Sequence, residues 1–250
     1  EAGFSMELWA ENMGAYTVGF ISPTGEVARE ISVPLRGENT VSFLLEQTQI
    51  TVYTQIADVS SGSQFIFMRF ENPMSGIWRI LIRNTLDIRE TFHIWLPVRG
   101  FISDETYFLR PDPDTIITDP GNARYPITVT AYDHTKNSIY IHASRGYSLS
   151  GRIKPDLAAP GVNILGASVS GRRLTRMSGT SVSAAHLAGA AAILLNWGVL
   201  NANYPYLNTP VLKSIFVRGA QRNPALTYPN REFGYGTLNL YEAFLHLRNL

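Results

Sequence analysis

The sequence contains no cysteine among its 250 residues, which excludes disulfide bonds, thiolate metal sites and a cysteine nucleophile. It also lacks an excess of either charge, because 21 basic and 20 acidic side chains give a formal net charge of +1. Nucleic-acid-binding proteins usually carry a basic block that follows the phosphate backbone, and this sequence has none. We therefore expect neither a nucleic-acid partner nor charge-driven attachment to a membrane surface.

Long uninterrupted apolar runs are missing as well. The most apolar stretch, residues 184–200, contains His186 and Asn196 and is rich in alanine and glycine, which favours a buried helix over a membrane span. The chain opens on Glu-Ala-Gly-Phe, without an initiator methionine, a charged segment or an apolar leader. We expect no transmembrane segment, and we expect the chain to be a piece of a longer polypeptide.

Short β-rich runs fill the first part of the chain. Apolar residues such as Trp78, Ile80 and Ile82 alternate with polar ones, and turn sequences such as residues 22–25 separate the runs. The predicted strands are residues 4–9, 16–21, 41–45, 50–56, 65–70, 77–82 and 91–96. This many short strands without a helical pattern predicts a β-sandwich, whose aromatic residues belong to its core.

The pattern changes after residues 110–114, which are rich in proline and aspartate. Behind them the sequence predicts strands at residues 127–132 and 138–142, a loop at residues 154–161, and long helices at residues 181–197 and 209–219. Mixed elements after an all-β segment indicate a second domain or part of one. We therefore assign residues 1–112 to a first domain and residues 113–250 to a second.

The most informative passage is residues 176–190, where Gly179, Thr180 and Ser181 precede an apolar run. A hydroxyl at a helix N-terminus lies beside backbone N–H groups and the positive end of the helix dipole, which favour a developing oxyanion. Taken alone, such a tripeptide more often indicates an ordinary N-cap. The small residues that follow predict a buried helix through the centre of the domain rather than a surface helix.

Four segments of the second domain resemble, in order, the pattern of subtilisin-like serine proteases, the subtilase family. They are residues 120–133, 154–164, 176–190 and 233–240. The resemblance implies the C-terminal part of an α/β subtilisin-like domain with a mostly parallel sheet. It implies that Ser181 is the nucleophile and that Gly179 and Thr180 form the tight approach to it.

The first domain adds detail, because residues 3–9 and 21–26 resemble the jelly-roll insertion of germination-type (Csp-like) subtilases. In that group the insertion interrupts the catalytic domain before the serine. The resemblance implies that the first domain is a jelly roll, that the catalytic domain begins upstream of residue 1, and that the protein is bacterial and either exported or spore-associated. The residues themselves leave localisation open.

Ala185 is a departure from the family pattern, since most subtilases have proline there. Alanine suits the first turn of a helix, so we expect no loss of activity from it.

Serine is a weak nucleophile until an oriented base takes its proton. None of the five histidines lies in the Gly-His-Gly-Thr context of subtilases, and no aspartate lies in an Asp-Ser/Thr-Gly context. His186 would lie about 140° around the helix and roughly 7.5 Å along it from Ser181, so we expect a packed helix histidine there rather than the base. We therefore expect the catalytic Asp and His and the oxyanion Asn upstream, in an endopeptidase that forms an acyl-enzyme on Ser181. The isolated chain should be inactive.

Two other functions stay open on the sequence. A pseudoprotease with a binding or regulatory role would share every residue seen here and would differ in the upstream Asp and His. A carbohydrate-binding or surface-binding module on the β-sandwich would need an exposed aromatic row, whereas these aromatics alternate as core residues do.

The substrate is a protein or peptide by resemblance, and Thr118, Asp119 and Pro120 are expected to flank the pocket for its side chain. We predict no metal ion and no cofactor, because Asp112 and Asp114 do not have the spacing of a calcium loop. The expected partner is the upstream part of the same polypeptide. Without that part, exposed strand edges and apolar faces predict self-association.

Overall fold

A computed structural model describes residues 3–10, 16–31, 36–58, 62–86, 91–169, 171 and 173–248. The chain divides into two compact units, Glu1–Pro111 (unit 1) and Asp112–Leu250 (unit 2).

Within the described residues of unit 1, the chain forms antiparallel strands. They are β1 (Gly3–Ala10), β2 (Tyr16–Ile21), β3 (Val27–Ile31), β4 (Arg36–Phe43), β5 (Thr48–Gln55), β6 (Phe65–Glu71), β7 (Arg79–Asn84) and β8 (Phe92–Trp95). One sheet has the strand order β4-β5-β6-β1-β8, and the other has the order β3-β2-β7. All strands except β3 overlap runs that the sequence predicts as strands, although β4 shares only residues 41–43 with its predicted run.

Both sheets of unit 1 contribute apolar side chains to one core. Leu8 of β1 and Phe20 of β2 are fully buried, and Phe70 of β6 meets Phe20 edge-on with ring centroids 5.6 Å apart. The ring of Phe70 stacks on Phe4 with centroids 4.6 Å apart. The core role that the alternation predicts is confirmed for Trp78, Ile80 and Ile82, which pack against this cluster.

The strands of unit 2 form a small sheet and a hairpin. They are β9 (Val129–Asp133), β10 (Ser138–Ile139), β11 (Leu157–Pro160), β12 (Ile164–Ala167) and β13 (Leu174–Met177). Strand β9 pairs with β11 in parallel and with β10 in antiparallel fashion, while β12 and β13 pair with each other. The other edge of β11 makes a parallel bridge from Ala158 to Thr237. Among the described residues, parallel pairing is thus found at β9–β11 and at this bridge.

Three helices complete the described part of unit 2. They are α1 (Thr180–Leu195), which continues into a π-helical turn (Asn196–Leu200), α2 (Thr209–Arg218) and α3 (Leu240–Arg248). The Asn208 side chain caps α2 by accepting the N–H of Val211 at 3.2 Å. The helices and β11 share a core that includes Leu157, Leu187, Leu194, Leu212 and Phe216.

Helix α1 is buried along one side only. Its buried residues are Ser183, Leu187, Ala190 and Leu194, on the side that contacts β9 and β11. Apolar residues elsewhere on α1 are exposed, among them Ala184, Ala188 and Ile193. Full burial of this helix stays a prediction for the longer polypeptide, since the described sheet covers only one side of it.

The continuous helix Thr180–Leu200 is long and apolar enough to cross a membrane on length and composition alone, with a mean hydropathy of 1.4. A core helix of a soluble domain meets the same two criteria. The absence of a membrane span therefore stays a prediction.

Candidate active site

Helix α1 begins at the glycine, threonine and serine that the sequence singles out. Gly179 is its N-cap, with φ +151° and ψ 164°. Residues with a side chain rarely adopt this conformation, whereas glycine does so without steric cost. Thr180 and Ser181 are the first two residues of the helix. Gly179 thus lets the chain turn directly into α1 with Ser181 in the first turn.

The side chain of Ser181 is exposed. The N–H groups of Val182 and Ser183 donate to the carbonyl oxygen of Gly179, at 3.1 and 3.4 Å. Within the described residues, neither the hydroxyl nor the backbone N–H of Ser181 has a hydrogen-bond partner. A free N–H beside an exposed hydroxyl, at the positive end of a helix, is able to stabilise an oxyanion that forms on a bound carbonyl group.

Gly161, directly after β11, lies against the start of α1. Its carbonyl oxygen accepts the N–H of Gly179 at 2.8 Å, and its own N–H donates to the carbonyl oxygen of Tyr132 at 3.1 Å. A Cβ atom on Gly161 would lie 2.3 Å from Ser183 Oγ, 2.6 Å from the Cβ of Ala131 and 2.9 Å from the carbonyl oxygen of Gly179. Glycine at this position therefore allows the sheet and the N-terminus of α1 to approach this closely.

Ser183 makes a second connection between α1 and β11. Its side chain is fully buried, and its Oγ donates to the carbonyl oxygen of Ala159 at 2.9 Å. The first turn of α1 is thus joined to β11 through a side chain, in addition to the backbone bond between Gly179 and Gly161.

Hydrogen bonds also fix the base of the β12–β13 hairpin, which lies between Gly161 and Gly179 in the chain. The N–H of Asn163 donates to Ser178 Oγ at 2.9 Å, and Arg176 donates to the carbonyl oxygen of Asn163 at 2.9 Å. Asn163 has φ +53°, a left-handed conformation that asparagine tolerates better than most residues. These bonds hold the segments that enter and leave the hairpin together.

A buried group of charges lies at the start of β11. Lys154 Nζ lies 2.9 Å from Asp156 Oδ2 and also donates to the carbonyl oxygen of Pro126 and to Thr128 Oγ1, at 2.8 and 2.9 Å. The other carboxylate oxygen of Asp156 pairs with Lys213 of α2. Burial lowers the pKa of Lys154, and the Asp156 carboxylate opposes that shift. The group joins β11, α2 and the segment before β9.

The predicted pocket residues Thr118, Asp119 and Pro120 lie in an exposed loop ahead of β9. The loop turns through hydrogen bonds from Gly121 N to the carbonyl oxygen of Thr118, at 2.8 Å, and from Ala123 N to that of Pro120, at 3.0 Å. Within the described residues, no hydrogen bond joins this loop to Ser181. Its role beside a substrate stays a prediction.

His186, the histidine nearest to Ser181 in sequence, is exposed, and its Nδ1 lies 3.2 Å from the carbonyl oxygen of Val182. Its ring is thus engaged with the backbone one turn earlier. Exposure differs from the packed position that the sequence suggests.

Possible metal ligands are sparse. Across the part of the chain that the structure describes, no group of three or more His, Cys, Asp or Glu residues is placed to hold a metal ion. Asp114 pairs instead with Arg231 at 3.4 Å.

Sequence reasoning missed the supporting roles of Gly161, Ser183 and Lys213. Gly161 and Ser183 lie inside segments that the sequence identifies, but nothing in their spacing shows that they touch. Lys213 carries no local signal, because its partner Asp156 is distant in sequence and meets it only when α2 packs near β11.

Comparison with known proteins identifies relatives of this chain. Residues 110–236 match the family model described as the Subtilase family. The chain is 33% identical over 106 residues to Subtilisin-like protease 1 of Pseudogymnoascus destructans, which covers 42% of this chain and 24% of that protein. It is 35% identical over 104 residues to the serine protease AprX of Bacillus subtilis, which covers 34% of this chain and 23% of AprX.

A solved structure matches both units. The CspB protease of Clostridium perfringens superposes with a TM-score of 0.88 at 30% sequence identity, over 100% of this chain and 52% of the CspB chain. The chain thus spans about half the length of this solved relative. It spans about a quarter of the two relatives found by sequence.

Proposed function

The chain belongs to the subtilase family, and from that premise we propose that it is the C-terminal part of a serine endopeptidase. Its full-length polypeptide hydrolyses peptide bonds through an acyl-enzyme on Ser181. One observation carries the proposal: Ser181 is exposed in the first turn of α1, beside a backbone N–H that has no partner among the described residues.

The first chemical step joins Ser181 Oγ to the carbonyl carbon of the peptide bond. The hydroxyl proton passes to a histidine supplied by the upstream part of the polypeptide, which an aspartate orients. The carbonyl oxygen gains negative charge, and the N–H groups at the start of α1 together with an upstream asparagine stabilise it. Gly179 and Thr180 leave room for the scissile bond in front of Ser181.

The second step regenerates the enzyme. The tetrahedral intermediate expels the amine, which takes the proton from the histidine, and the acyl group stays on Ser181. Water then attacks the ester carbon, gives its proton to the same histidine, and releases the acid as the serine recovers its proton. The substrate is a protein or peptide, and the loop of Thr118, Asp119 and Pro120 flanks the pocket for its side chain.

The upstream part of the polypeptide also completes the fold in this proposal. Residues 1–112 form the jelly-roll insertion, and residues 113–250 form the C-terminal part of the catalytic domain. Upstream strands extend the β9–β11 pair into a mostly parallel sheet. Upstream residues cover the exposed side of α1, where Ala184, Ala188 and Ile193 face solvent in this chain.

Labelling with a phosphonylating probe, followed by mass spectrometry, tests the nucleophile in the full-length protein. We expect one labelled serine, Ser181, and we expect Ser181→Ala to abolish both labelling and turnover while leaving the melting temperature unchanged. Ser150→Ala, which removes an exposed loop hydroxyl, is the matched control and should behave like wild type. A label on another residue would overturn the assignment. An unreactive full-length protein would instead identify a pseudoprotease.

The same probe tests whether the isolated chain is inactive. Because the base and its orienting carboxylate lie outside it, this chain should hydrolyse no peptide and should react with the probe no faster than Ser181→Ala does. Labelling of Ser181 at the full-length rate would contradict the upstream position of the base.

A further inference from the structure

We propose that Ser183 is a positioning residue for catalysis, because its buried hydroxyl fixes the rotation of α1 and so aims Ser181. This inference rests on the proposed function, since it concerns how that site is held.

The environment of Ser183 shows that its hydroxyl has a specific role. Its side chain is fully buried on the face of α1 that also carries Leu187 and Ala190. A buried hydroxyl without a partner destabilises a protein, whereas alanine at the same place would carry no such cost. Serine within a helix often bonds the carbonyl oxygen one turn earlier. Here Oγ donates instead across to Ala159 of β11, at 2.9 Å.

The position of Ser183 on the helix makes this bond relevant to Ser181. Residues two positions apart on a helix are separated by about 200° of rotation, so Ser183 points to the sheet when Ser181 points away from it. The exposure pattern agrees, with Ser183 at 0% exposed and Ser181 exposed. Any rotation of α1 about its axis moves both side chains together.

Two connections at different places prevent that rotation. The backbone bond from Gly179 to Gly161 holds the N-cap of the helix, and the Ser183 bond to Ala159 holds a point inside the first turn. With the N-cap connection alone, the first turn of α1 would be held only by that pivot and by the packing of Leu187 one turn further on. The second connection, inside the first turn, restrains its rotation directly.

Ala159, which accepts the hydrogen bond from Ser183, is itself held by the sheet. Ala159 lies in β11, which pairs with β9 on one edge and bridges Thr237 on the other. The buried charges of Lys154 and Asp156 lie at the start of the same strand. Ser183 is therefore connected to a strand that is bonded along both of its edges.

The size of the expected effect follows from helix geometry. Side-chain atoms lie about 5 Å from a helix axis, so a rotation of about 10° moves Ser181 Oγ by about 0.9 Å. A misplacement of about 1 Å lowers a rate by as much as about 100-fold. Ser183→Ala keeps the connection at Gly179, so we expect kcat to fall by about tenfold rather than by the full amount.

The experiment compares Ser183→Ala with Leu187→Ala in the full-length enzyme, well below either melting temperature. Leu187 lies on the same buried face one turn later and packs in the core without bonding to β11. Ser183→Ala should lower kcat by about tenfold and slow phosphonylation of Ser181 by the same factor, with KM within about twofold. Leu187→Ala should lower the melting temperature more and leave kcat within about twofold.

Each result decides the question. An unchanged kcat in Ser183→Ala, or an equal loss of kcat in Leu187→Ala, overturns the positioning role. If Ser183→Ala fails to fold, Ser183→Cys keeps the shape with a weak donor and should show the same split between kcat and KM. Turnover that survives Ser181→Ala in the full-length protein would contradict the proposed function itself. The inference about Ser183 would then fall with it.

Discussion

Lys154 Nζ lies 2.9 Å from Asp156 Oδ2, and the two side chains are 2% and 0% exposed. An ion pair removed from water this completely is strongly destabilised when one partner is lost, because the other charge stays buried alone. The carboxylate is the common partner of both lysines of the cluster, whereas Lys213 is part-exposed and pairs with it from the edge.

Asp156→Asn should therefore lower the free energy of unfolding of unit 2 by about 3–5 kcal/mol, because it leaves the Lys154 ammonium without a counter-charge. Lys213→Met is the control and should cost less than Asp156→Asn, because Lys154 still neutralises the Asp156 carboxylate in that variant. Urea denaturation of the full-length protein measures both changes. Equal losses of unfolding free energy in the two variants would show that the Lys154–Asp156 pair stabilises the unit no more than Lys213 does.

Gly161→Ala tests the close approach of β11 to α1. The new Cβ would overlap Ala131 and the backbone of Gly179, so the start of α1 must move. We expect a loss of about 1–3 kcal/mol in the free energy of unfolding, together with a reduced rate of Ser181 labelling. Urea denaturation and probe kinetics measure these effects. A stable variant with the wild-type labelling rate would show that the contact does not position the serine.

Gly189→Ala tests whether upstream residues cover the exposed side of α1. Gly189 is exposed in this chain, and a Cβ there would meet nothing within 4 Å. In the isolated chain the variant should be more stable by about 0.5–1 kcal/mol, because alanine favours the helix. In the full-length protein a covering segment would meet the methyl group and reverse the sign. Thermal melts of both forms give the comparison, and stabilisation in both would argue against close cover.

The same apolar side of α1 predicts self-association of the isolated chain. Exposed apolar residues such as Ile193, at 53% exposure, seek partners in water. Sedimentation velocity at rising concentration should show association that Ile193→Glu weakens. Glu242→Ala, a change on α3, is a control that should leave it unaltered. A monomer at every concentration would count against the prediction.

Unit 1 should fold alone when residues 1–111 are expressed separately. Its sheets are antiparallel and share one core, so its contacts do not depend on unit 2 for their apolar partners. We expect a cooperative thermal transition and dispersed amide resonances. Phe70→Ala should abolish the transition, because loss of a buried phenylalanine costs about 3–5 kcal/mol. A gradual melt with collapsed resonances in the wild-type segment would contradict independent folding.

Local patterns were enough to locate the main helices and most strands of unit 1. The apolar run after Ser181 predicts a helix at residues 181–197, and α1 covers Thr180–Leu195 before its π-helical turn. Alternation of polar and apolar residues predicts β1, β2 and β6 closely. In these segments the residues carry a periodicity that matches the structure they form.

The elements that the sequence missed owe their conformation to distant partners. Residues 157–160 are Leu-Ala-Ala-Pro, which lack β-branched and aromatic side chains, and the sequence predicts a loop there. They form β11 because β9 pairs with one edge and the segment around Thr237 with the other. The sequence also misses strand β3, Val27–Ile31, because the charged residues Arg29 and Glu30 occupy exposed positions in it.

The residues of the candidate site also fall into those that a local pattern predicts and those that depend on tertiary packing. Gly179, Thr180 and Ser181 are contiguous, so a local pattern can single them out. Their support comes from Gly161 and Ser183, whose contact depends on how β11 packs under α1. No spacing along the chain encodes that contact.

The hydrogen bond from Gly179 to Gly161 closes residues 162–178 into a loop whose two ends meet. Asn163 and Ser178 tie the ends together once more. Lengthening a closed loop destabilises the fold little, since doubling the number of loop residues costs only about 0.6 kcal/mol in closure entropy. The length of this hairpin can therefore change at little cost to the start of α1, and a peptide tag inserted at its tip should leave the rate of Ser181 labelling in the full-length protein unchanged.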